Sequence, residues 1–172
     1  MIIGVLLGTG LRCEELSNLT FDDVSQIPYG KTVKDVITIR GKGDKKRTIP
    51  MDPVLAKHIR EWKMRVKSGR VARRMLKGKK IGKSITPRRI SDIVREYGYI
   101  LGIEDLAPHD LRRTYGRIMY YANNRDIVLV KNLLGHKNTR TTEGYIGVDL
   151  NLDIDVFPVG GLQVVGRFIK KG

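Results

Sequence analysis

In Pro108-His109-Asp110-Leu111-Arg112-Arg113 an imidazole and a guanidinium lie three residues apart, just behind a proline. Proline is favoured in the first turn of a helix, and residues i and i+3 share a helix face. His109 and Arg112 are therefore expected to project together from a helix N-terminus. The partial positive charge of that terminus adds to theirs and favours an anion. His136 follows Leu133-Leu134-Gly135, where the glycine is expected to end a helix, and Tyr145 stands nine residues further on. Arg12 opens another helical stretch behind Gly8-Thr9-Gly10-Leu11 and is followed by Glu14, Glu15 and Leu16. A zinc site built on His109, His136 and a carboxylate has no supporting spacing, and the arginine beside His109 would repel a cation. His58, the remaining histidine, has no polar constellation near it in sequence and reads as a helix-face residue. Gly78 to Ser84 imitates a phosphate-binding loop, yet it has three residues between its glycines where that motif needs four. No apolar strand precedes it. Gly41 and Gly43 have no helix after them and read as a hairpin tip.

Composition narrows the class. The chain has 172 residues, with 33 Lys plus Arg against 18 Asp plus Glu, a formal charge of +15. Hydrophobic residues reach 41%, enough for a core, so the basic excess does not mark a disordered polycation. Cys13 is the single cysteine, which excludes an internal disulfide framework and a cysteine-rich zinc site. No apolar run approaches the roughly 18 to 20 residues needed to span a bilayer. The apolar start, Met1 to Leu7, lacks the basic residues that open a signal peptide. An acidic polymer, nucleic acid first, is the partner that the charge favours.

The elements that must position these residues can be outlined. Met1 to Gly8 and Arg12 to Leu19 read as helices separated by a glycine turn. Val33 to Arg40 alternates, with Val36, Thr38 and Arg40 opposite Ile37 and Ile39, and pairs with Lys45 to Met51 around Gly41-Lys42-Gly43-Asp44 as a β-hairpin. Asp52-Pro53 opens a helix with Leu55, Ile59, Trp62 and Val66 inward. From Lys63 to Lys83 there are ten basic residues and no acidic one, which suits either a solvated, mobile loop or a phosphate-contacting arm. Further helices are expected from Thr86-Pro87 to Gly102, with Ile90, Ile93, Val94, Tyr97 and Leu101 on one face, and from Pro108 to about Asn123, burying Leu111, Tyr115, Ile118 and Ala122. Short ones follow at Asp126 to Leu134 and Thr141 to Ile146. The fold class is thus α+β, mainly helical, with a small antiparallel hairpin at one edge. From Asp149 the composition changes to a tail outside the core.

Taken in order, these segments resemble the tyrosine recombinase (phage integrase) family, specifically its catalytic domain. Thr9 to Leu16 resembles the box around that family's first catalytic arginine. Gly41 to Arg47 resembles its lysine-bearing hairpin, and Pro108 to Thr114 its His-x-x-Arg helix. Leu133 to Lys137 and Thr141 to Tyr145 resemble its second histidine box and its nucleophile segment. Each box alone is weak; all five in order are specific. The resemblance covers about residues 1–147, and residues 1–148 are expected to be the catalytic domain, with 149–172 a tail of unknown role. The family's clamp domain ordinarily precedes this unit. Arg12 lies only eleven residues from Met1, so the clamp is expected to be missing here, as in a fragment or a minimal recombinase.

The resemblance implies site-specific recombination of double-stranded DNA. Tyr145 is the implied nucleophile, leaving a 3′-phosphotyrosine and a free 5′-hydroxyl. Arg12 and Arg112 would hold the phosphate by planar, permanently charged forks. Lys42 would protonate the leaving oxygen, with Lys45 as competitor. His109 would assist proton transfer at the tyrosine, and His136 would donate to the phosphate. Glu15 would orient an arginine. No cofactor and no metal are implied, and the protein is expected inside the cell, on DNA, as a tetramer. A type IB topoisomerase shares this chemistry, and a catalytically inactive DNA-binding module is the rival of a different class.

Overall fold

The computed structural model describes residues 1–40 and 46–147. Helix α1 (Ile2–Thr9) stops at Gly10, whose φ of 63° bends the chain into α2 (Cys13–Asn18). Glycine is required there for a second reason: a Cβ at Gly10 would lie 2.3 Å from the Tyr115 ring. Strands β1 (Val24–Tyr29), β2 (Thr32–Arg40) and β3 (Lys46–Pro50) form an antiparallel sheet in that order. Asp52 caps α3 (Pro53–Val66) by accepting from the Val54 and Leu55 amides. A hairpin of β4 (Arg73–Met75) and β5 (Ile81–Ser84) leads to α4 (Pro87–Leu101), capped by Thr86. The described chain closes with α5 (Pro108–Ala122), α6 (Ile127–Leu134) and α7 (Thr139–Ile146).

Helix α5 is the hub: it packs on α1, α6 and α7, while α4 covers α2 and β3 meets α6. Leu6, Leu16, Ile37, Ile49, Ile59, Ile90, Tyr115, Leu134 and Ile146 fill the core between them. Burying each such side chain contributes about 1.5–3 kcal/mol. The architecture is mainly helical α+β, as expected, but it holds two small sheets among the described residues.

Several local expectations are corrected. β1 carries no alternating pattern, because its residues are exposed or half-exposed and Pro28 interrupts it. Proline is tolerated because β1 is an edge strand, where the missing amide costs no ladder bond. The basic run is no simple loop. Its middle is anchored: Val71 and Ala72 are fully buried, the Val71 amide donates to the Leu19 carbonyl (2.9 Å), and Trp62 Nε1 donates to the Val71 carbonyl (2.8 Å). Arg74, Lys77, Lys80 and Lys83 stand exposed on the hairpin that follows. In β2, Val36 is buried together with Ile37 and Ile39, so the expected two-faced alternation fails there. On α4, Tyr97 and Leu101 are exposed, and Gly98 is buried instead. On α5, Ala122 is exposed and Tyr120 takes its place in the core. Helix α7 starts earlier than expected because Asn138 caps it, accepting from the Thr141 amide. Residues 149–172 and Lys42 lie outside the described residues.

Gly116 lets α7 approach α5: a Cβ there would come within 2.7 Å of Ile146 Cγ2 and 3.3 Å of Leu134 Cδ1. Alanine in a helix interior ordinarily gains about 1 kcal/mol over glycine. Here the overpacking, costing about 1–3 kcal/mol, should win. Gly116→Ala should therefore lower the urea midpoint of unfolding; a raised midpoint would show that α7 can shift away freely.

Candidate active site

Glu15 comes one turn into α2, and its carboxylate turns back to cap the helix, accepting from the Arg12 amide at 2.7 Å. The same carboxylate receives both guanidinium nitrogens of Arg47, each at 2.8 Å, and Arg12 Nη1 at 3.1 Å. Arg112 Nη1 lies 3.9 Å from it. Three arginines from α2, β3 and α5 thus surround one acid. Arg112 is 2% exposed, and its guanidinium donates to the carbonyls of Gly10 and Leu134. One side chain therefore ties the end of α1 and the end of α6 to α5.

Gly135 ends α6 and delivers His136 beside this cluster, with Nε2 3.5 Å from Arg112 Nη2 and Nδ1 3.1 Å from Thr142 Oγ1. Tyr145, on α7, packs edge-on against the His136 ring at a centroid distance of 5.1 Å. The Tyr145 hydroxyl donates to the His109 carbonyl (3.2 Å) and lies 3.5 Å from His109 Nδ1. The guanidinium carbons of Arg112 and Arg113 stand 6.0 and 5.9 Å from the centre of its ring. Arg12, His109, Arg112, His136 and Tyr145 are thereby gathered from four stretches of chain. Lys42 lies outside the described residues, in the link between β2 and β3. Tyr115 and Tyr120, other hydroxyls on α5, are sealed in the core.

The charges do not balance, because one carboxylate faces three guanidiniums, and the surplus creates a place for an anion. Burial and Arg12 push the Arg112 pKa down to about 10, which still leaves it cationic near neutrality. Burial, then Arg112, Arg12 and Arg47, push His136 down to about 4, so its ring is neutral. For Tyr145, burial raises the phenol pKa against the pull of Arg112 and Arg113, so the resting hydroxyl keeps its proton. Among the described residues, no group of three His, Cys, Asp or Glu side chains could hold a metal ion. No described helix is long and apolar enough to cross a membrane.

A family model described as the phage integrase family matches residues 1–151. The chain belongs to the phage integrase family. Among curated relatives, tyrosine recombinase XerC of Caldanaerobacter subterraneus subsp. tengcongensis is 34% identical over 151 residues, covering 86% of the chain and 40% of that protein. Tyrosine recombinase XerA of Pyrococcus furiosus is 33% identical over 149 residues, covering 86% and 49%. The chain thus spans less than half the length of these curated relatives. Among solved structures, XerH site-specific recombinase bound to difH substrate, a pre-cleavage complex, superposes with a TM-score of 0.66 at 24% identity, over 87% of the chain and 43% of that one. This likeness confirms the integrase fold.

Two residues of this candidate site carry no signal in the sequence. Arg47 was hidden among the lysines of the hairpin segment, and only the folded sheet points it at Glu15. Thr142 looked like one of several threonines in α7. It is fully buried, and its hydroxyl faces His136.

For Glu15, burial raises the carboxyl pKa, but hydrogen bonds and charge from Arg47 and Arg12 outweigh it and hold the value below normal. A carboxyl with a depressed folded pKa stabilises fully above its unfolded value, about 4.3 for glutamate, and loses that contribution as pH falls through the folded value. Glu15→Gln should therefore be less stable than wild type at neutral pH, and the gap should shrink below about pH 4. Urea unfolding across that range checks this. A gap independent of pH would mean that the carboxylate charge contributes nothing.

Proposed function

We propose that the chain is the catalytic unit, residues 1–148, of a site-specific recombinase that cuts and rejoins double-stranded DNA through Tyr145. The observation that carries this reading is the convergence of a tyrosine hydroxyl, two histidines and two arginines on one anion-favouring corner. Tyr145 Oη bonds to phosphorus, the bond to the 5′-oxygen breaks, and the phenolic proton passes to His109. Lys42 gives its proton to the departing oxygen. The product is a 3′-phosphotyrosine and a free 5′-hydroxyl.

Arg12 and Arg112 would carry the extra negative charge on the non-bridging oxygens. Pre-organised donors of this kind are worth roughly 3–4 kcal/mol each, since they need no rearrangement as charge develops. His136 adds a neutral donor. The resting Tyr145–His109 Nδ1 separation of 3.5 Å is long for proton transfer, as is common before substrate binds. Exposed Arg74, Lys77, Lys80 and Lys83 would supply further phosphate contacts. By family resemblance, strand exchange would occur in a tetramer on DNA inside the cell, and no metal or cofactor is required.

Incubation with a pool of nicked duplexes, randomised around the nick, should leave a covalent protein–DNA band on a denaturing gel. Tyr145→Phe removes one oxygen and should abolish the band while leaving the fold and DNA retention intact. A band from the Phe variant would move the nucleophile elsewhere.

Lys42 is separable by leaving-group chemistry. Sulfur in place of the bridging 5′-oxygen departs as an anion and needs no proton. Lys42→Ala should be slowed roughly a hundredfold or more on normal DNA, the usual worth of a general acid, and largely restored on the sulfur strand. Arg12→Ala should not be restored. Rescue of Lys45→Ala instead would transfer the role to Lys45.

A further inference from the structure

Thr142 has one hydroxyl proton and two acceptors within reach. It donates to the Asn138 carbonyl one turn back at 3.3 Å, and His136 Nδ1 lies 3.1 Å away. The hydroxyl is fully buried, so no solvent competes for that proton. His136 Nε2 lies 3.5 Å from Arg112 Nη2, which can only donate. A neutral imidazole holds one N–H and one lone pair, and the partner of one nitrogen decides the state of the other.

Two complete bonding patterns fit these atoms. With the site empty of anion, Arg112 donates to Nε2, Nδ1–H donates to Thr142 Oγ1, and the hydroxyl donates to Asn138. With a phosphate in place, Nε2 must carry the proton in order to donate. Nδ1 then becomes an acceptor, and the hydroxyl turns from Asn138 to Nδ1. At Thr142 only the hydroxyl proton has to turn between the two.

We infer that Thr142 is a positioning residue whose hydroxyl rotates between Asn138 and His136, switching the imidazole from the Nδ1–H to the Nε2–H form when phosphate binds. The switch lets one uncharged ring brace Arg112 before binding and serve the phosphate afterwards. Adding a proton there would be opposed by Arg112, Arg12 and Arg47. A valine would keep the shape of Thr142 and lose both patterns. A serine would keep both. This inference rests on the strand-cleavage reading for its purpose, though its tautomer readout does not.

The test is the nitrogen-15 shifts of the histidine rings in the 172-residue chain, with and without saturating inorganic phosphate. A His136→Gln sample identifies the His136 signals. Wild type and Thr142→Ser should show Nδ1–H without phosphate and Nε2–H with it. Thr142→Val leaves Nδ1 without a partner in either form, so its exchange should be weaker and incomplete, and its covalent-band rate on the nicked pool should fall roughly 10- to 100-fold, the loss typical when the orienting partner of a metal-bound histidine is removed. An unchanged wild-type tautomer, a doubly protonated His136, or a Thr142→Val protein that exchanges normally would each overturn the inference. A covalent band without tautomer exchange sinks the switch alone. Exchange without any covalent band sinks the strand-cleavage reading alone.

Discussion

Three guanidinium groups converge on the carboxylate of Glu15, and each arrives on a different element. Without that carboxylate, Arg12, Arg47 and Arg112 would repel one another across a partly dehydrated corner, where such repulsion is poorly screened. With it, the corner holds together and still carries an excess of positive charge. The bidentate Arg47 pair docks β3 on α2, and so docks the sheet whose β2–β3 link includes Lys42. Arg112, fastened to the carbonyls of Gly10 and Leu134, joins the turn before Arg12 to the turn before His136. One acid, the part-buried Arg47 and the buried Arg112 thus set the relative positions of four chain segments.

Burial and the same field together set the protonation states around it. Burial, reinforced by Arg112, Arg12 and Arg47, keeps the His136 imidazole neutral, and the two nitrogens of a neutral ring differ. The phenol of Tyr145 experiences opposite effects: burial holds its proton on, and the arginines favour its loss. The resting hydroxyl donates to the His109 carbonyl and lies beside the His109 ring.

Packing supports this electrostatic arrangement from behind. α7 is a short helix of 8 residues and holds only a few core contacts of its own. It is located by Ile146 against the bare backbone of Gly116, and by Thr142 beneath His136. Tyr145 thus inherits its position from the residues on either side of it in the helix. The cap at Asn138 sets where that helix begins.

Much was legible in the residues themselves. Caps and stops such as Asp52-Pro53, Thr86-Pro87, Gly102 and Gly135 act on their own neighbours, so local chemistry determined where these helices begin or end. The His109/Arg112 pair shares a face by helix periodicity alone, and the order of the five boxes pointed to the family. Other features depended on contacts between distant parts of the chain. β1 is exposed and contains proline, and only pairing with β2 makes it a strand. Val71 and Ala72 look like interruptions in a basic run until Leu19 and Trp62 close over them. Arg47 and Thr142 are ordinary residue types at unremarkable spacings. Their importance comes from Glu15, 32 residues before Arg47, and from a histidine ring that a glycine turn brings back over α7. Periodicity reports which way a side chain points from its own element. Which charged or polar group it meets there is decided by the packing of elements far apart in sequence.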